Sequence, residues 1–411
     1  MTKVLMYGYS SDRNFGGPSV IMGFRELVRA VDPDAEVVCY ETTKLTPEVV
    51  AGYDFKVRAF PYRSIRSFWK DWLKTRVLHR TLGDLAKREF WADFDSADTV
   101  VNVYGICFCS KFGKDAKRFV RLHALKALLK EFSPNLAARL AGKRSVKSSC
   151  SYGSMDRAID RFSAKFAARW FFDTMIAREH ESARQMKELA GVRKEVPFSP
   201  DVANMMPVPE VSREGDLIGI VTSFQMERQW TRTDVGYIDC MKELVRHIRN
   251  DLHCRILLIP NQDGNQYGLI FRRGDTAVAQ EIAAAFPGDD GISIQPLVGR
   301  PALELKAAIA CCRVVVSPRY HGCVAALTSG VPLLTLGWHC KYDELTGLYG
   351  QKEFMIAAAD CSVSKLIARF SEVYADSDRI AAEVASRRDS VRSAAVSVWS
   401  ENVGMSATGM I

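Results

Sequence analysis

The chain has 411 residues, too many for one ordinary core, and roughly 100–200 residues per domain divides it into two or three. At 47% hydrophobic and 25% charged it has the composition of a soluble globular protein, and no apolar run approaches the ~18 residues of a membrane-spanning helix. A formal net charge of +8 suits an anionic small molecule, an acidic polymer or a membrane surface, and does not choose among them.

The opening MTKVLMYGYSSDRNFGG lacks the apolar core and cleavage site of a signal peptide, so a cytoplasmic protein is expected. It predicts a first strand over Lys3–Tyr9. Helical apolar spacing follows over Pro18–Val31, at Val20, Ile21, Phe24, Leu27, Val28 and Val31. Glu36–Tyr40 predicts a second strand, 64–90 a long helical stretch, and Thr99–Val103 a buried strand. Asp115–Phe132 predicts a basic amphipathic helix, and Ser145–Met155 a Ser/Gly-rich connector. Helix 157–172, strand Thr174–Ala177, helix 181–190 and strand Val196–Ser199 complete this half.

Met205–Gly215 (MMPVPEVSREG) is polar and proline-bearing, and is the expected linker. Alternation restarts with strand Leu217–Thr222, helix 235–249, strand Arg255–Pro260, helix 275–286 and strand Ile292–Leu297. Helix 302–311, strand Arg313–Ser317, helix 321–329 and strand Leu333–Leu336 follow. A terminal helix over about 377–400 lies outside the alternation. Apolar strands alternating with helices imply parallel sheets covered on both faces. The expected fold class is α/β, with two Rossmann-like domains facing a cleft: residues 1–208, then 216–376, with 377–411 packing near the linker.

The eleven cysteines include no C-x-x-C pair, and many sit in apolar runs, which favours reduced core thiols over disulfides or a zinc site. The glycines and asparagine of the first loop, Gly8, Asn14, Gly16 and Gly17, would let backbone approach a substrate or simply make a tight turn. Their spacing is not G-x-G-x-x-G, which disfavours a nicotinamide enzyme.

The most informative stretch is VVVSPRYHGCVAALTSGVPLLTLGW, Val314 to Trp338. A buried strand stops at Ser317, and Arg319, Tyr320, His321 and Gly322 lead into a helix of small residues. In an open parallel sheet, ligands bind beyond the carboxyl ends of the strands, where helices begin. Helix-start N–H groups favour anions there. Arg319 adds a planar fork for phosphate or carboxylate, His321 a group that exchanges protons near neutral pH, and Gly322 room for close approach. The pattern suits an acidic, phosphate-bearing small molecule. The plainer alternative is that Arg319 and His321 only cap and brace the helix.

Ser317-Pro-Arg-Tyr-His-Gly, then Ala325 and Ala326, Gly330-Val-Pro, and Lys341-Tyr, resembles the signature of the polysaccharide pyruvyl transferase family. Asn14-Phe-Gly16, Ala177-Arg178-Glu179 with Ser182, Ser199-Pro-Asp201-Val, Asp275 and Glu304-Leu305 resemble further family segments. The resemblance covers most of residues 1–350. It implies a GT-B-like fold and transfer of pyruvate from phosphoenolpyruvate to a sugar, forming a cyclic ketal. It also implies a donor site holding Arg178, Arg319 and His321, with Ser317, Tyr320, Gly322 and Lys341 beside them. No cofactor or metal is implied; phosphoenolpyruvate is a substrate. The sequence departs from the family pattern where Gly17 and Pro18 replace a first-loop carboxylate, where a glycine cluster shrinks to Tyr104-Gly105, and where Asn261 stands for a histidine. These positions bear on the substrate more than on the fold.

Two other readings remain open. One is a GT-B glycosyltransferase using a nucleotide sugar, for which Glu344 is the nearest acidic candidate beyond the Arg-His motif. The other is a repurposed binding protein. Residues 61–91 are basic and aromatic, with eight Lys/Arg against three acidic residues over 61–90. Such a segment suits peripheral contact with an anionic membrane, at its inner face, and a lipid-linked saccharide acceptor. The plainer alternative is a helix packing Trp69, Leu73 and Val77 on its domain. No nucleic-acid-reading module is present.

Overall fold

A computed structural model describes residues 2–8, 14–42, 45–109, 120–231, 234–263, 273–297 and 300–403. The N-terminal sheet contains β1 (Lys3–Tyr7), β2 (Glu36–Glu41), β3 (Lys56–Ala59), β4 (Thr99–Asn102), β5 (Ile106–Cys107), β6 (Arg144–Tyr152) and β7 (Thr174–Ala177). Its order is β3-β2-β1-β4-β6-β5, with β7 also pairing β6. The C-terminal sheet contains β8 (Glu214–Thr222), β9 (Arg255–Pro260), β10 (Ile292–Ile294), β11 (Cys312–Ser317), β12 (Leu333–Gly337) and β13 (Met355–Ala357), in the order β10-β9-β8-β11-β12-β13. Every ladder in both sheets is parallel. Parallel strands need crossover helices, and these cover both faces, which is why β8, β9 and β11 are nearly continuous apolar runs. The fold class is therefore α/β, with two Rossmann-like parallel sheets in a GT-B-like arrangement.

The two halves share packing. Helix Gly16–Val31 lies on the 3-10 turn Val202–Met205 of its own half, and from there Phe24 meets Trp399 of the long C-terminal helix Ser377–Val403 edge-on at 5.1 Å. Trp399 is fully buried, and truncating such a side chain typically costs ~3–5 kcal/mol. Arg392 of the same helix donates to the carbonyls of Asn204 and Met206, at 3.2 and 3.1 Å. The first loop reaches across as well: Phe15 N–H donates to the Asn261 carbonyl at 2.9 Å, and Asn14 bridges Gln262.

Four expectations in the N-terminal half need correction. The Ser-rich 145–155 stretch is not a connector but the buried strand β6. Three of the strand's four serines bond within the protein: Ser145 Oγ donates to the Phe171 carbonyl at 2.6 Å, Ser149 Oγ accepts Val202 N–H at 3.2 Å, and Ser151 Oγ donates to Glu179 at 2.6 Å. The stretch 64–90 is two helices, Ile65–Arg76 and Leu85–Ser96. The chain turns between them through His79 at φ 47°, and Asp84 caps the second helix by accepting from Lys87 N–H. Val196–Ser199 forms no full strand; Phe198 makes a single bridge to Ala177. The helix expected over Asp115–Phe132 is described from Val120 and continues to Leu140, kinked at Phe132 two residues before Pro134; 115–119 lie outside the described residues.

Candidate active site

Three strand ends supply the site. Strand β7 ends at Ala177, so Arg178 and Glu179 leave the sheet at its carboxyl edge. Strand β11 ends at Ser317, where helix Tyr320–Thr328 starts, and β12 leads through Trp338 to Lys341, which opens helix Lys341–Leu348. Ser317 Oγ holds the turn by donating to the Arg319 carbonyl at 3.0 Å and accepting its N–H at 3.2 Å. A methyl at Gly322 would stand 2.8 Å from that hydroxyl, so only glycine fits the tight entry to the helix.

Arg178 is buried and held on several sides. Its Nε donates to Ser151 Oγ at 2.8 Å and to Glu179 at 3.0 Å, one terminal nitrogen donates to Asp201 at 2.6 Å, and its face lies 4.6 Å from the Tyr320 ring centre. Tyr320 is thus a platform with Arg178 over it and the Lys341 ammonium 5.3 Å from its centre. Trp338 and Tyr342 complete the cage round Lys341, at 4.9 and 5.5 Å, and both rings are fixed by donating to the Pro318 carbonyl. A helix-opening lysine would be expected in solvent, yet Lys341 is buried and makes no ion pair among the described residues.

Arg319 donates through a terminal nitrogen to Asp275, a fully buried carboxylate that also accepts Phe224 N–H at 2.7 Å and Gln262 N–H at 2.9 Å. Asp275 therefore ties the ends of β8 and β9 to the arginine. Its burial pushes the carboxyl up, against the pull of Arg319. Among the described residues Arg319 Nε is buried with no hydrogen-bond partner, and so is His321 Nε2, which has a carboxylate oxygen of Asp201 4.0 Å away. Buried polar atoms normally find partners, so two orphaned nitrogens on neighbouring residues are the kind of feature a bound anion satisfies.

The charges act on one another. Burial lowers His321 to about 4; Asp201 opposes this, and Arg178, Lys341 and Arg319 reinforce it. Burial lowers Lys341 to about 7, helped by Arg178 and Arg319 and opposed by Glu179 and Asp201. Asp201, though buried, is held below the ordinary carboxylate range by Arg178, His321 and the Ala203 N–H. At neutral pH the imidazole is thus held in its neutral form, and the Lys341 ammonium gives up its proton far more readily than an exposed lysine does.

The first loop completes the wall from the other domain. Gly16 starts its helix against the imidazole: a methyl there would stand 2.5 Å from His321 Nδ1. Asn14 Oδ1 accepts Gly16 N–H at 2.7 Å, and Gly17 is buried in the same first turn. The structure thus brings Arg178, Arg319, Tyr320, His321, Lys341 and Gly16 together. Gly8, at φ 115°, faces the Asn102 side chain at the end of β1 rather than this cluster. Sequence inspection gave no role to Asp201, Glu179 and Asp275 as counter-charges, nor to Trp338 and Tyr342 as the lysine's cage. The available signals were a carboxylate just past the end of β7, Glu179, and one opening a helix, Asp275.

A family model described as polysaccharide pyruvyl transferase matches residues 25–339, most of the chain and the whole of this cluster except Gly16 and Lys341. The chain belongs to the polysaccharide pyruvyl transferase family. It is thereby a member of a transferase family whose acceptors are sugars. No curated protein matches the chain. Among solved structures, family membership sits with a wider likeness of fold. The S. aureus MnaA–UDP co-structure has a TM-score of 0.57 at 11% identity, covering 98% of each chain. UDP-GlcNAc 2-epimerase from Methanocaldococcus jannaschii has 0.55 at 12%, covering 90% of this chain and 92% of that one. The Neisseria meningitidis UDP-GlcNAc 2-epimerase bound to UDP-GlcNAc has 0.54 at 10%, covering 98% and 99%. At such identities the likeness concerns the fold.

Proposed function

We propose that this member of the family transfers the pyruvyl group of phosphoenolpyruvate to a pair of hydroxyls on a saccharide, releasing phosphate and leaving a ketal. The observation that carries the reading is the pair of orphaned nitrogens, Arg319 Nε and His321 Nε2, beside a buried lysine. A donor with carboxylate and phosphate on one carbon offers acceptor oxygens to Arg319 Nε and the Lys341 ammonium, and a saccharide hydroxyl beside it offers a proton to His321 Nε2. Arg319, oriented by Asp275, and Lys341, oriented by its aromatic cage, hold the anion. Arg178 adds charge from behind Tyr320 and keeps Asp201 in place.

The chemistry needs a proton on the donor methylene, attack of one hydroxyl at the carbon bearing phosphate, rupture of the carbon–oxygen bond to phosphate, and attack by the second hydroxyl. Two protons leave the hydroxyls; one balances that placed on the methylene, and the other leaves with phosphate. His321, neutral near pH 7, is suited to take a hydroxyl proton. A bound dianion offsets the surrounding positive charge and raises both His321 and Lys341, so either can carry the proton destined for the methylene.

A second reading, a nucleotide-sugar enzyme, is favoured by the neighbours described with UDP or UDP-GlcNAc. Against it, Glu344 is engaged by His180, whose N–H and Nδ1 lie 3.2 and 2.9 Å from its carboxylate. The test is incubation with phosphoenolpyruvate and a panel of saccharides. Phosphate release that requires both, with the acceptor gaining the mass of pyruvate less water, supports pyruvyl transfer. Transfer from a UDP-sugar, with phosphoenolpyruvate inert, supports the alternative.

A further inference from the structure

The basic segment between residues 61 and 91 presents a surface that the active site does not use. Its aromatic half is internal: Phe68 and Trp91 are buried, and Trp69 Nε1 donates to Ser133 Oγ at 3.0 Å. Its aliphatic half is not. Leu73, Val77, Leu78 and Leu85 are 47%, 56%, 51% and 63% exposed, although Leu73 and Val77 were the residues expected to pack inward. Leu73 and Val77 stand one helical turn apart and share a face, and Leu78 continues from it into the turn between the two helices. Leu82, buried, anchors that turn from below.

The charges round these side chains are one-sided. The segment's carboxylates are already engaged: Asp71 by Lys87, Asp84 by the Lys87 N–H, and Glu89 by Arg58. Arg63, Arg66, Lys70, Lys74, Arg80 and Arg88 pair with no carboxylate among the described residues, and all but the half-buried Lys74 are exposed. Exposed aliphatic side chains at a helix end and turn, bordered by uncompensated cations, match the interfacial region of an anionic bilayer: tails for the leucines and headgroup phosphates for the cations. A soluble anionic polymer would satisfy the cations and leave the four aliphatic side chains in water. No described helix is long and apolar enough to span a membrane, so the contact is peripheral.

We propose that the Leu73–Leu85 turn and its basic border dock this protein on an anionic phospholipid surface. The inference does not depend on the donor or the reaction, and its test uses neither.

The full-length protein is sedimented with vesicles of phosphatidylcholine alone and with vesicles containing phosphatidylglycerol, at low and moderate salt. Binding to the anionic vesicles, weakened by salt, is expected. A Lys70→Glu/Arg80→Glu variant is expected to bind at least about 25-fold more weakly, at about fivefold per lost cation. A Val77→Ser/Leu78→Ser variant should lose about tenfold or more while keeping its charge. All these side chains are exposed, and circular dichroism checks that both variants fold. The control, Arg193→Glu/Lys365→Glu, makes the same charge change at exposed positions elsewhere, neither in an ion pair among the described residues, and should bind as wild type. Failure of the wild type to bind anionic vesicles at low salt overturns the proposal, as does equal weakening of the control. Wild-type binding by the Val77→Ser/Leu78→Ser protein, with heparin competing the vesicles away, assigns the patch to a soluble polyanion and also overturns it.

Discussion

Replacing Gly16 with alanine places one methyl group between the two domains, and its effect is readable from the structure. The methyl carbon would lie 2.5 Å from His321 Nδ1 and 3.0 Å from Cε1. An ordinary contact begins at about 3.4 Å, so the overlap is about 0.9 Å. The imidazole has little room to retreat, with Tyr320 edge-on at 5.5 Å and Asp201 on its far side at 4.0 Å. Overpacking of this kind costs ~1–3 kcal/mol, and alanine returns ~0.5–1 kcal/mol of helix propensity, leaving a net loss of ~0–2.5 kcal/mol. The larger effect falls on chemistry, because a ~1 Å displacement of a reacting group costs about 10²-fold in turnover. The assay is a double-mutant cycle: denaturation midpoints for Gly16→Ala, His321→Ala and the pair, with phosphoenolpyruvate-dependent phosphate release measured on the first. With the imidazole gone the methyl has space, so Gly16→Ala should cost nothing in the His321→Ala background, a coupling of ~1–3 kcal/mol. Additive midpoints, or normal turnover in a Gly16→Ala protein of unchanged stability, would refute the contact and the role given to the first loop.

Asp275→Asn keeps the shape but places an amide donor against an N–H or against Arg319; it should lower stability by ~1–3 kcal/mol and weaken phosphoenolpyruvate binding about tenfold, read by denaturation and calorimetry. Lys341, lowered to about 7, should make donor affinity fall as pH rises from 6 to 9, and Lys341→Met should flatten that profile at a weaker affinity. The stability of the ligand-free protein should move oppositely: between pH 7 and 10 the unfolded chain still binds the Lys341 proton that the folded chain has lost, so stability rises with pH. Lys306 adds to the same slope. It too is lowered to about 7 by burial, and it donates to the Met206 carbonyl at 2.9 Å, an oxygen that Arg392 also reaches. Lys306→Met should therefore be neutral or stabilising by ~1–2 kcal/mol at pH 7, and a drop in melting temperature would contradict that.

The C-terminal half was legible in its sequence for a physical reason. Parallel strands buried on both faces are short apolar runs, and Arg255–Pro260 matches its strand to the residue, while Arg313–Ser317 falls one residue short of the observed Cys312–Ser317. Strand β6 was hidden because four serines and a buried lysine, Lys147, interrupt its apolar residues; Lys147 donates to the Asn102 carbonyl, 45 residues away, at 3.4 Å, a partner that no local pattern reveals. The break at 77–84 (VLHRTLGD) carried a readable signal, Gly83 followed by the capping Asp84, and the apolar spacing on either side masked it; a positive φ at His79 and the Asp84 cap decide it. In the site, Arg319 and His321 were readable because strand end, turn and helix start follow one another directly. Their counter-charges were not: Asp275 lies 44 residues from Arg319, and the Arg178–Asp201 pair spans 23. The inward face assigned to Leu73 and Val77 followed from helical periodicity, which marks a face as apolar but not what covers it.

The central claim is that Arg319, His321 and Lys341 form the seat of phosphoenolpyruvate, and calorimetric titration of that ligand tests it most directly. The wild type should bind, and Arg319→Ala, if folded, should bind roughly tenfold to a hundredfold more weakly, the ~1.5–3 kcal/mol of a lost charge-assisted contact. His321→Gln should retain donor affinity while turnover falls by about 10²–10⁴-fold. A folded Arg319→Ala protein with wild-type affinity for phosphoenolpyruvate, or a wild type that binds only a UDP-sugar, would contradict the account.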